Sequence, residues 1–445
     1  MKFRKFSIRK NEGVSFSKKS GDYNDIHLNK LVGYNSMFGS NIVHGSYLII
    51  KLLEKISYKK FSKIKIRFDE AFFYNNEIKF CNKKINNDHY YYELFQDNEL
   101  KATFEFSLKD INLNQNIYKN KKYKKIFYLS KKKENKLKTS KLDKNLYISL
   151  TYLSRYVGMY YPGKYSLITE ILIKKIKSNE KKIKKNKKIE IKSYKPDSRF
   201  PLIENILLFR EYKIYFKTVD RPKLNLKFQK LNKRVLNSIN KINKNILIIG
   251  ASSGIGYELL NIFKNNSKIK IIATYNNNKI KIKKKNIIIK KINVSRNLKQ
   301  IKKTIIKFSP LIIYYFATPK IKIFSKRKNL IDLYKSYFIK IPLKIIYLSK
   351  KYNNYFFYPS TKFIDKNIKS NYVKIKLLAE RILKKIKTNE TKINIARIPE
   401  INTKQNLSLV NRNLPNFSDI LKKDNEIYKK IFFTNLKKKT RVLNI

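Results

Sequence analysis

The sequence predicts two architectures in one chain, an α+β front and, from about Asn245, an α/β doubly wound parallel sheet. Three observations carry this. Before residue 228 the chain is dominated by strand-like runs: KIKIRFDEAFFY, NEIKFC and LKATFEFSL, then YSLITEILIKKI, KKIEIKSYK and ENILLFREYKIYFKTV. From Asn245 short apolar strands (NILIIG, KIKIIATY, NIIIKKINV, PLIIYYFAT) alternate with helical patterns, the order that produces βαβ units and a parallel sheet. Between the first of these strands and its helix lies Gly250-Ala251-Ser252-Ser253-Gly254-Ile255-Gly256, a glycine turn at a strand-to-helix corner.

Domain boundaries follow from these shifts in pattern. Residues 1–108 hold all three histidines and the first group of strands. Residues 109–228 open on a lysine-rich stretch that reads as solvated linker, pass through a helix-like segment at Leu146–Val157 and a Gly158…Gly163 segment, and close on strands. Within them the lysine-rich segment 174–188 reads as a hairpin tip. Residues 229–244 are the expected linker and 245–445 the α/β domain.

A chain of 445 residues has room for two or three domains of about 100–200 residues each. Its net charge of +72, from 103 basic and 31 acidic residues, invites a nucleic-acid reading. Lys, Ile and Asn are all in excess, Trp is absent and Gly and Pro number only 10 each, a pattern of AT-rich codons. The basic residues are spread along the whole chain rather than concentrated, so no nucleic-acid partner is expected. The charge still attracts phosphorylated ligands. Cys81 is the only cysteine, which rules out an intramolecular disulfide and a cysteine metal cluster and fits a reducing compartment. The start MKFRKFSIRK lacks an apolar core of the signal-peptide type. The longest apolar runs, such as Leu311 to Ala317, fall far short of the roughly 18 residues that span a bilayer. The expectation is a soluble, cytoplasmic protein with no membrane span.

The glycine turn lets the backbone approach a pyrophosphate, and the helix behind it offers N–H donors and a positive dipole end. The second strand ends in Ala273-Thr274-Tyr275-Asn276-Asn277-Asn278-Lys279, without the acidic residue that binds a free ribose 2′-hydroxyl. A neutral end with Lys279 fits a 2′-phosphate better, so NADP is expected and NAD is the alternative. Downstream stand Ser360, Tyr372 and Lys376. A Tyr and a Lys four apart share one helix face. A nearby ammonium lowers the phenol from its ordinary pKa of ~10. The phenol then exchanges the proton of an alcohol near neutral pH, and a serine hydroxyl can hydrogen-bond the carbonyl being reduced.

These residues resemble the short-chain dehydrogenase/reductase family, with its Rossmann-like fold. The resemblance implies a carbonyl-orienting role for Ser360, an acid–base role for Tyr372 and a supporting role for Lys376, which also holds the nicotinamide ribose. It implies a cofactor cradle from Gly250, Ser252, Ser253, Gly254, Ile255 and Gly256, with Tyr275, Asn293, Ala317, Pro399 and Thr403 along the cofactor. Departures are present. The family's Asn-Asn-Ala-Gly is here Tyr315-Phe316-Ala317-Thr318-Pro319, its adenine-side Asp is Asn293, and Glu400 stands where glycine is usual. The asparagine of its proton relay has no clear match around Tyr334 to Phe338.

In the front, Ser20-Gly21-Asp22-Tyr23-Asn24-Asp25-Ile26-His27-Leu28 is followed by Ile42-Val43-His44-Gly45-Ser46, which opens an apolar helix-like run. An Asp and a His five apart on a loop can share one water. The carboxylate and imidazole then serve as base and acid for adding water to an activated alkene, or removing it. A helix N-terminus around Gly45 can polarise a thioester carbonyl. This loop resembles the MaoC-like (R)-specific enoyl-thioester hydratase family, whose hotdog fold wraps a sheet around a long helix. The resemblance covers Lys19 to Leu53 closely. It puts Asp22 and His27 on the catalytic pair, Asn24 on the motif's asparagine and Gly45 in a substrate-positioning role, with Asp25 replacing the usual proline. His44 and His89 read as structural, and without a third ligand in view no metal is expected. Residues 109–228, which lack an acid–histidine pair, read as a degenerate second half that completes a double hotdog.

Together the resemblances imply a bifunctional enzyme that reduces a 3-oxoacyl thioester and dehydrates the (R)-3-hydroxyacyl product, with CoA or acyl carrier protein as carrier. Both families commonly form dimers or tetramers, so a homo-oligomer is expected. A single-activity carbonyl reductase with a front that only binds acyl groups is the competing expectation. A basic nucleic-acid-binding protein is the third.

Overall fold

The structure is a computed structural model that describes residues 3–56, 61–84, 88–109, 125–130, 142–176, 188–198, 200–221, 231–242, 245–321, 328–352, 354–386, 391–403, 406 and 413–433. It divides into two compact units, with the main break after residue 223.

The first unit runs β1 (Arg4–Ser7), α1 (Lys10–Ser20), α2 (Asp25–Leu28), α3 (Lys30–Asn35), α4 (Gly45–Ile56), β2 (Lys63–Phe68), β3 (Glu77–Lys84), β4 (His89–Gln96), β5 (Glu99–Ser107), β6 (Lys125–Ser130), α5 (Lys144–Arg155), β7 (Ser166–Lys175), β8 (Lys188–Tyr194), β9 (Leu202–Phe209) and β10 (Tyr212–Asp220). Its strands form one antiparallel sheet ordered β1-β3-β4-β5-β2-β7-β10-β9-β8-β6. That order is an internal repeat. The first five strands stand as first, third, fourth, fifth, second; the last five, counted in their own order, stand as second, fifth, fourth, third, first. The repeats meet where β2 pairs with β7, Lys63 opposite Lys174 and Arg67 opposite Glu170. Each carries a 12-residue helix at the same place, α4 before β2 and α5 before β7.

Local chemistry explains these elements. In β2 the buried Ile64 and Ile66 alternate with Lys65 and Arg67, the period-two pattern of a strand with one covered face. Helix α4 (GSYLIIKLLEKI) is apolar around most of its circumference and buries Leu48, Ile49, Ile50, Leu52, Leu53 and Ile56, as a core helix does. From α5, Leu146, Ile148, Leu150 and Leu153 join the same cluster as Ile171, Ile173, Ile214 and Phe216. Burial of each large aliphatic side chain contributes about 1.5–3 kcal/mol, so the two helices are the main cement of the sheet.

Two expectations are corrected here. The lysine-rich stretch after residue 109 contains a strand, β6, paired along β8. Its KIFYLS core was hidden among lysines, and the flanking 110–124 and 131–141 lie outside the described residues. Residues 177–187, most of the segment expected as a hairpin tip, lie outside the described residues, and the strands that flank them do not pair as a hairpin. Strands β7 and β8 are not neighbours, because β10 and β9 stand between them.

The second unit contains α6 (Lys233–Asn240), β11 (Ile246–Ile249), α7 (Gly254–Phe263), β12 (Ile271–Tyr275), β13 (Ile287–Lys291), α8 (Leu298–Phe308), β14 (Ile312–Tyr315), α9 (Lys328–Lys335), a π turn (Ser336–Lys340), α10 (Ile341–Ser349), β15 (Tyr355–Thr361), α11 (Asn371–Lys385), β16 (Lys392–Ile398), α12 (Phe417–Lys423) and α13 (Asn425–Phe432). Its strands form one parallel sheet ordered β13-β12-β11-β14-β15-β16. This is the 3-2-1-4-5-6 order of the doubly wound dinucleotide-binding sheet, with its switch point between β11 and β14. Both faces are covered. Ile246 and Ile248 of β11 enter one core with Leu259 and Phe263 of α7 and Phe417 of α12, while Leu247 and Ile249 enter another with Ile305 of α8 and Ile345 of α10. A strand buried on both faces reads as a continuous apolar run, which ILII is.

The expected linker 229–244 contains α6, whose Val235 and Ile239, four apart, are buried in the second unit's core. Among the described residues no helix is long and apolar enough to cross a membrane.

Candidate active sites

In the second unit the glycine turn lies at the switch point. Gly250 has φ +86, and a Cβ there would stand 2.7 Å from Ala317 N, so only glycine lets β11 turn against the end of β14. A Cβ at Gly256 would stand 2.4 Å from Gly250 O, so α7 also starts too close to the strand for a side chain. Thr274 of β12 ties the turn down, accepting from Gly250 N at its Oγ1 (3.2 Å) and from Ala251 N at its carbonyl (2.8 Å). Ser252, Ser253 and Ile255 stay partly exposed at the start of α7. Thr403, from the segment after β16, touches the same turn: a Cβ at Gly254 (φ +59) would meet its Cγ2 at 3.6 Å. Gly250, Gly254, Gly256, Ala317 and Thr403 therefore converge, as a phosphate cradle requires. Tyr275, half-buried, ends β12, Lys279 beyond it is exposed, and Pro399 follows β16. Asn293 spends its side-chain oxygen on Ser295, at 3.1 Å to N and 2.8 Å to Oγ, which makes it a turn former rather than a free adenine-side group.

The Ser360–Tyr372–Lys376 set is gathered differently from the expectation. Tyr372 and Lys376 lie on one face of α11 and both are buried. The Thr361 hydroxyl lies close enough to the Tyr372 phenol to act on its pKa, which it lowers. Ser360 lies on the face of β15 that Phe356 and Tyr358 share with Ala379 and Leu383 of α11, beside Glu380, which forms a bidentate pair with Arg397 (3.0 and 2.7 Å). The Ser360 Oγ is buried and makes no well-formed hydrogen bond. Nor does Lys376 depress the Tyr372 pKa. Burial pushes that phenol above its ordinary range, against the influence of the Thr361 hydroxyl. Lys376 Nζ instead donates to Pro359 O at 2.6 Å and lies over the rings of Phe338 (4.1 Å) and Tyr358 (4.6 Å), and burial pushes it down to about 7. Tyr334 and Phe338 pack edge-on against Tyr372, at 5.9 and 5.6 Å between ring centres. The π turn that carries Phe338 is tied to the sheet by two tyrosines, Tyr315 Oη donating to Tyr337 O (2.7 Å) and Tyr358 Oη to Phe338 O (3.0 Å). Tyr315, a departure from the family pattern, thus serves as a strut.

The residues present fit a dinucleotide on two observations: glycine positions that a Cβ would fill, and the orphaned Ser360 hydroxyl at the end of β15.

In the first unit Asp22, His27 and His44 each bring a ligand-type atom to within 4.8 Å of the others. Asp22 is buried. Its Oδ2 accepts from Ser154 Oγ (2.7 Å) and its Oδ1 from Asn24 N (3.1 Å). Burial raises its pKa to about 6, against those two bonds. His27 Nδ1 donates to Ile42 O at 2.8 Å, so its Nε2 carries the lone pair and has no protein partner among the described residues. Burial lowers this imidazole to about 4, against the Ile42 bond, with Arg221 and Lys10 adding to the effect. The imidazole is therefore neutral near pH 7 and cannot be the acid of the pair. It is an acceptor.

His44, expected to be only structural, is the third member of the cluster. It stacks on His27 at 3.8 Å between ring centres, with its nitrogens on Tyr74 Oη (2.9 Å) and Ser17 Oγ (3.1 Å). With both nitrogens engaged, the cluster is built as a hydrogen-bond network. Asn24 is also reassigned. Its side chain accepts from Ile26 N at 3.2 Å and caps α2, so it shapes the loop under Asp22 rather than facing a substrate. Gly45 opens α4, and a Cβ there would meet only ordinary contacts, the nearest to Phe68 at 3.5 Å. Its neighbour Ser46 is buried with an unpartnered hydroxyl. Sequence reading missed Thr361, Ser154 and the role of His44. The first shares a dipeptide with Ser360; the others join the sites through tertiary contacts that no local pattern signals.

No family model matches the chain, and no curated protein matches it. Solved structures do. A short-chain dehydrogenase family protein from Francisella tularensis subsp. tularensis SCHU S4 is 15% identical over 36% of this chain and 72% of its own, with a TM-score of 0.33. A short-chain dehydrogenase from Burkholderia cenocepacia J2315 in complex with NADP is 9% identical over 43% of this chain and 97% of its own, at 0.34. A third, from Leptospira borgpetersenii serovar Hardjo-bovis with bound NAD+, is 15% identical over 47% and 91%, at 0.36.

Proposed function

We propose that this chain is a bifunctional acyl-thioester enzyme, an NADP-dependent 3-oxoacyl reductase in the second unit and an (R)-3-hydroxyacyl dehydratase, in reverse an enoyl hydratase, in the first. Its acyl group is carried as a CoA or acyl-carrier-protein thioester. The mirrored strand order, with a long helix before the second strand of each repeat, supports a double hotdog for the first unit. The glycine cradle at the switch point supports the reductase half. The observation that carries the two-step reading is the Asp22–His27–His44 cluster, because a carbonyl reductase needs no second acid–base centre.

When bound, the dinucleotide supplies the reducing equivalents. The chain supplies the proton. A buried Tyr372 is protonated at neutral pH and donates to the carbonyl oxygen, while the nearby Thr361 hydroxyl steadies the charge left behind. In the first unit a water shared by Asp22 and the free His27 Nε2 meets two acceptors. For hydration, Asp22 takes one proton, the oxygen bonds to the β-carbon, and the proton is returned to the α-carbon. With a pKa of about 6, Asp22 is the group able to carry that proton near neutrality. The N–H groups opening α4 hold the charge on the thioester oxygen.

The full chain, given NADPH and a 3-oxoacyl-CoA, is expected to oxidise the cofactor and form an enoyl thioester. Failure of both reactions sinks the reading.

A further inference from the structure

The second repeat of the first unit has no acid–histidine pair of its own, since every histidine lies before residue 90. It nevertheless holds Asp22. Ser154, in the last turn of α5, donates to Asp22 Oδ2 at 2.7 Å across 132 residues of sequence, and both side chains are buried. Just beyond, the helix widens into a π turn at Tyr156–Tyr160, a distortion that recurs at functional sites. Gly158 within it comes so close to the carboxylate that a Cβ would stand 2.1 Å from Asp22 Oδ1. Arg155 covers Gly21, whose added Cβ would meet the arginine Cδ at 3.2 Å, and Tyr23 N points at Met159 Sδ at 3.3 Å. One stretch, Ser154–Met159, thus touches Gly21, Asp22 and Tyr23 in succession.

We infer that Ser154 and Gly158 are positioning residues for the reaction at Asp22, and that the second repeat serves as the clamp of a site whose acid–base groups all come from the first. The inference rests on the acid–base reading above. An ionised carboxylate has about four acceptor positions. Ser154 and the Asn24 amide fill two, fixing its direction and leaving the others for a water. A hydroxyl donating to a carboxylate is charge-assisted and favours the ionised form. The other titratable or charged groups of the site are His27, His44 and Tyr74 beside it, Arg155 over Gly21, and Lys10 and Arg221, which act on His27. Among the described residues Ser154 is the one side-chain donor to the carboxylate.

The test follows the Asp22 carboxyl by infrared difference between the full chain, labelled with 13C-aspartate, and its Asp22→Asn variant. Ser154→Ala is expected to move its titration midpoint upward by about one pH unit, the effect of one lost bond to a charged group. Ser154→Thr should restore it. The acidic limb of enoyl-thioester hydration should move with it at unchanged KM. Gly158→Ala should displace the same carboxyl band and cut hydration by about a hundredfold. A Ser154→Ala chain that titrates like the parent, or a Gly158→Ala chain that hydrates like it, overturns the clamp. Should the parent hydrate no enoyl thioester, the proposed function falls, and the carboxyl titration still decides the clamp.

Discussion

Three side chains decide the chemistry proposed for the first unit, and their protonation states are fixed by burial. Asp22 has its pKa raised to about 6 and His27 its pKa lowered to about 4, so near pH 7 the cluster holds one carboxylate and one free imidazole lone pair. Hydration should therefore fall as pH drops through about 6, when Asp22 takes up a proton that it must lack to begin. Asp22→Asn should lose at least ~10²-fold in hydration while reduction continues. In the second unit the Thr361 hydroxyl near the Tyr372 phenol makes Thr361→Val the expected damaging change for reduction and Ser360→Ala the milder one. Steady-state NADPH oxidation by the two variants decides the matter, and the reverse order would return the carbonyl-orienting role to Ser360. Residue types were legible in the sequence and their facing was not. Ser360 and Thr361 are adjacent, and only the packing of β15 against α11 shows that Ser360 lies beside Glu380 and Thr361 near Tyr372.

At the scale of elements, legibility followed the surroundings of each strand. Strand β11 declared itself because ILII is bounded by Asn245 and Gly250. Strand β6 did not, because KIFYLS sits in a run of lysines whose charge masks a period of two. The turn after β11 was readable for a physical reason: a positive φ and two approaches too close for a Cβ demand glycine. Gly250→Ala should abolish nucleotide binding, measured by NADPH fluorescence, while leaving hydration intact. Helix α12 gives a second prediction. Its first amides, Phe417 N (2.8 Å) and Ser418 N (3.4 Å), donate to Glu258 Oε2 of α7, and burial raises that carboxyl to about 7. A carboxyl raised in the folded state contributes stability at low pH that is lost as pH rises through its folded value. Glu258→Gln keeps an acceptor and removes the charge. It should raise the thermal midpoint at about pH 8 and change it little at about pH 5. A midpoint lowered at both pH values would mean that the ionised form is the better partner.

For the whole molecule, the two-part plan was visible in the change of pattern at Asn245, but the unity of the first part was not. Segments 1–108 and 109–228 share one sheet because β2 pairs with β7, a contact more than 100 residues long in sequence that no periodicity reports. The same closure brings Ser154 to Asp22, so the fold-level repeat and the site-level clamp are one fact seen at two scales. The diffuse charge of +72 acts at this scale too, drawing phosphorylated ligands to either unit. Apparent affinity for NADPH should weaken as ionic strength rises, by screening.

The central claim is that one chain holds two separable chemistries. Its most direct test is a single reaction of the full chain with NADPH and a 3-oxoacyl-CoA, followed for cofactor oxidation and for enoyl-thioester product together, with the parent beside Asp22→Asn and Tyr372→Phe. The parent should show both signals, Asp22→Asn should stop at the 3-hydroxyacyl thioester, and Tyr372→Phe should oxidise no cofactor yet still hydrate added enoyl thioester. Loss of both activities in each folded variant, or neither signal from the parent, would contradict the account.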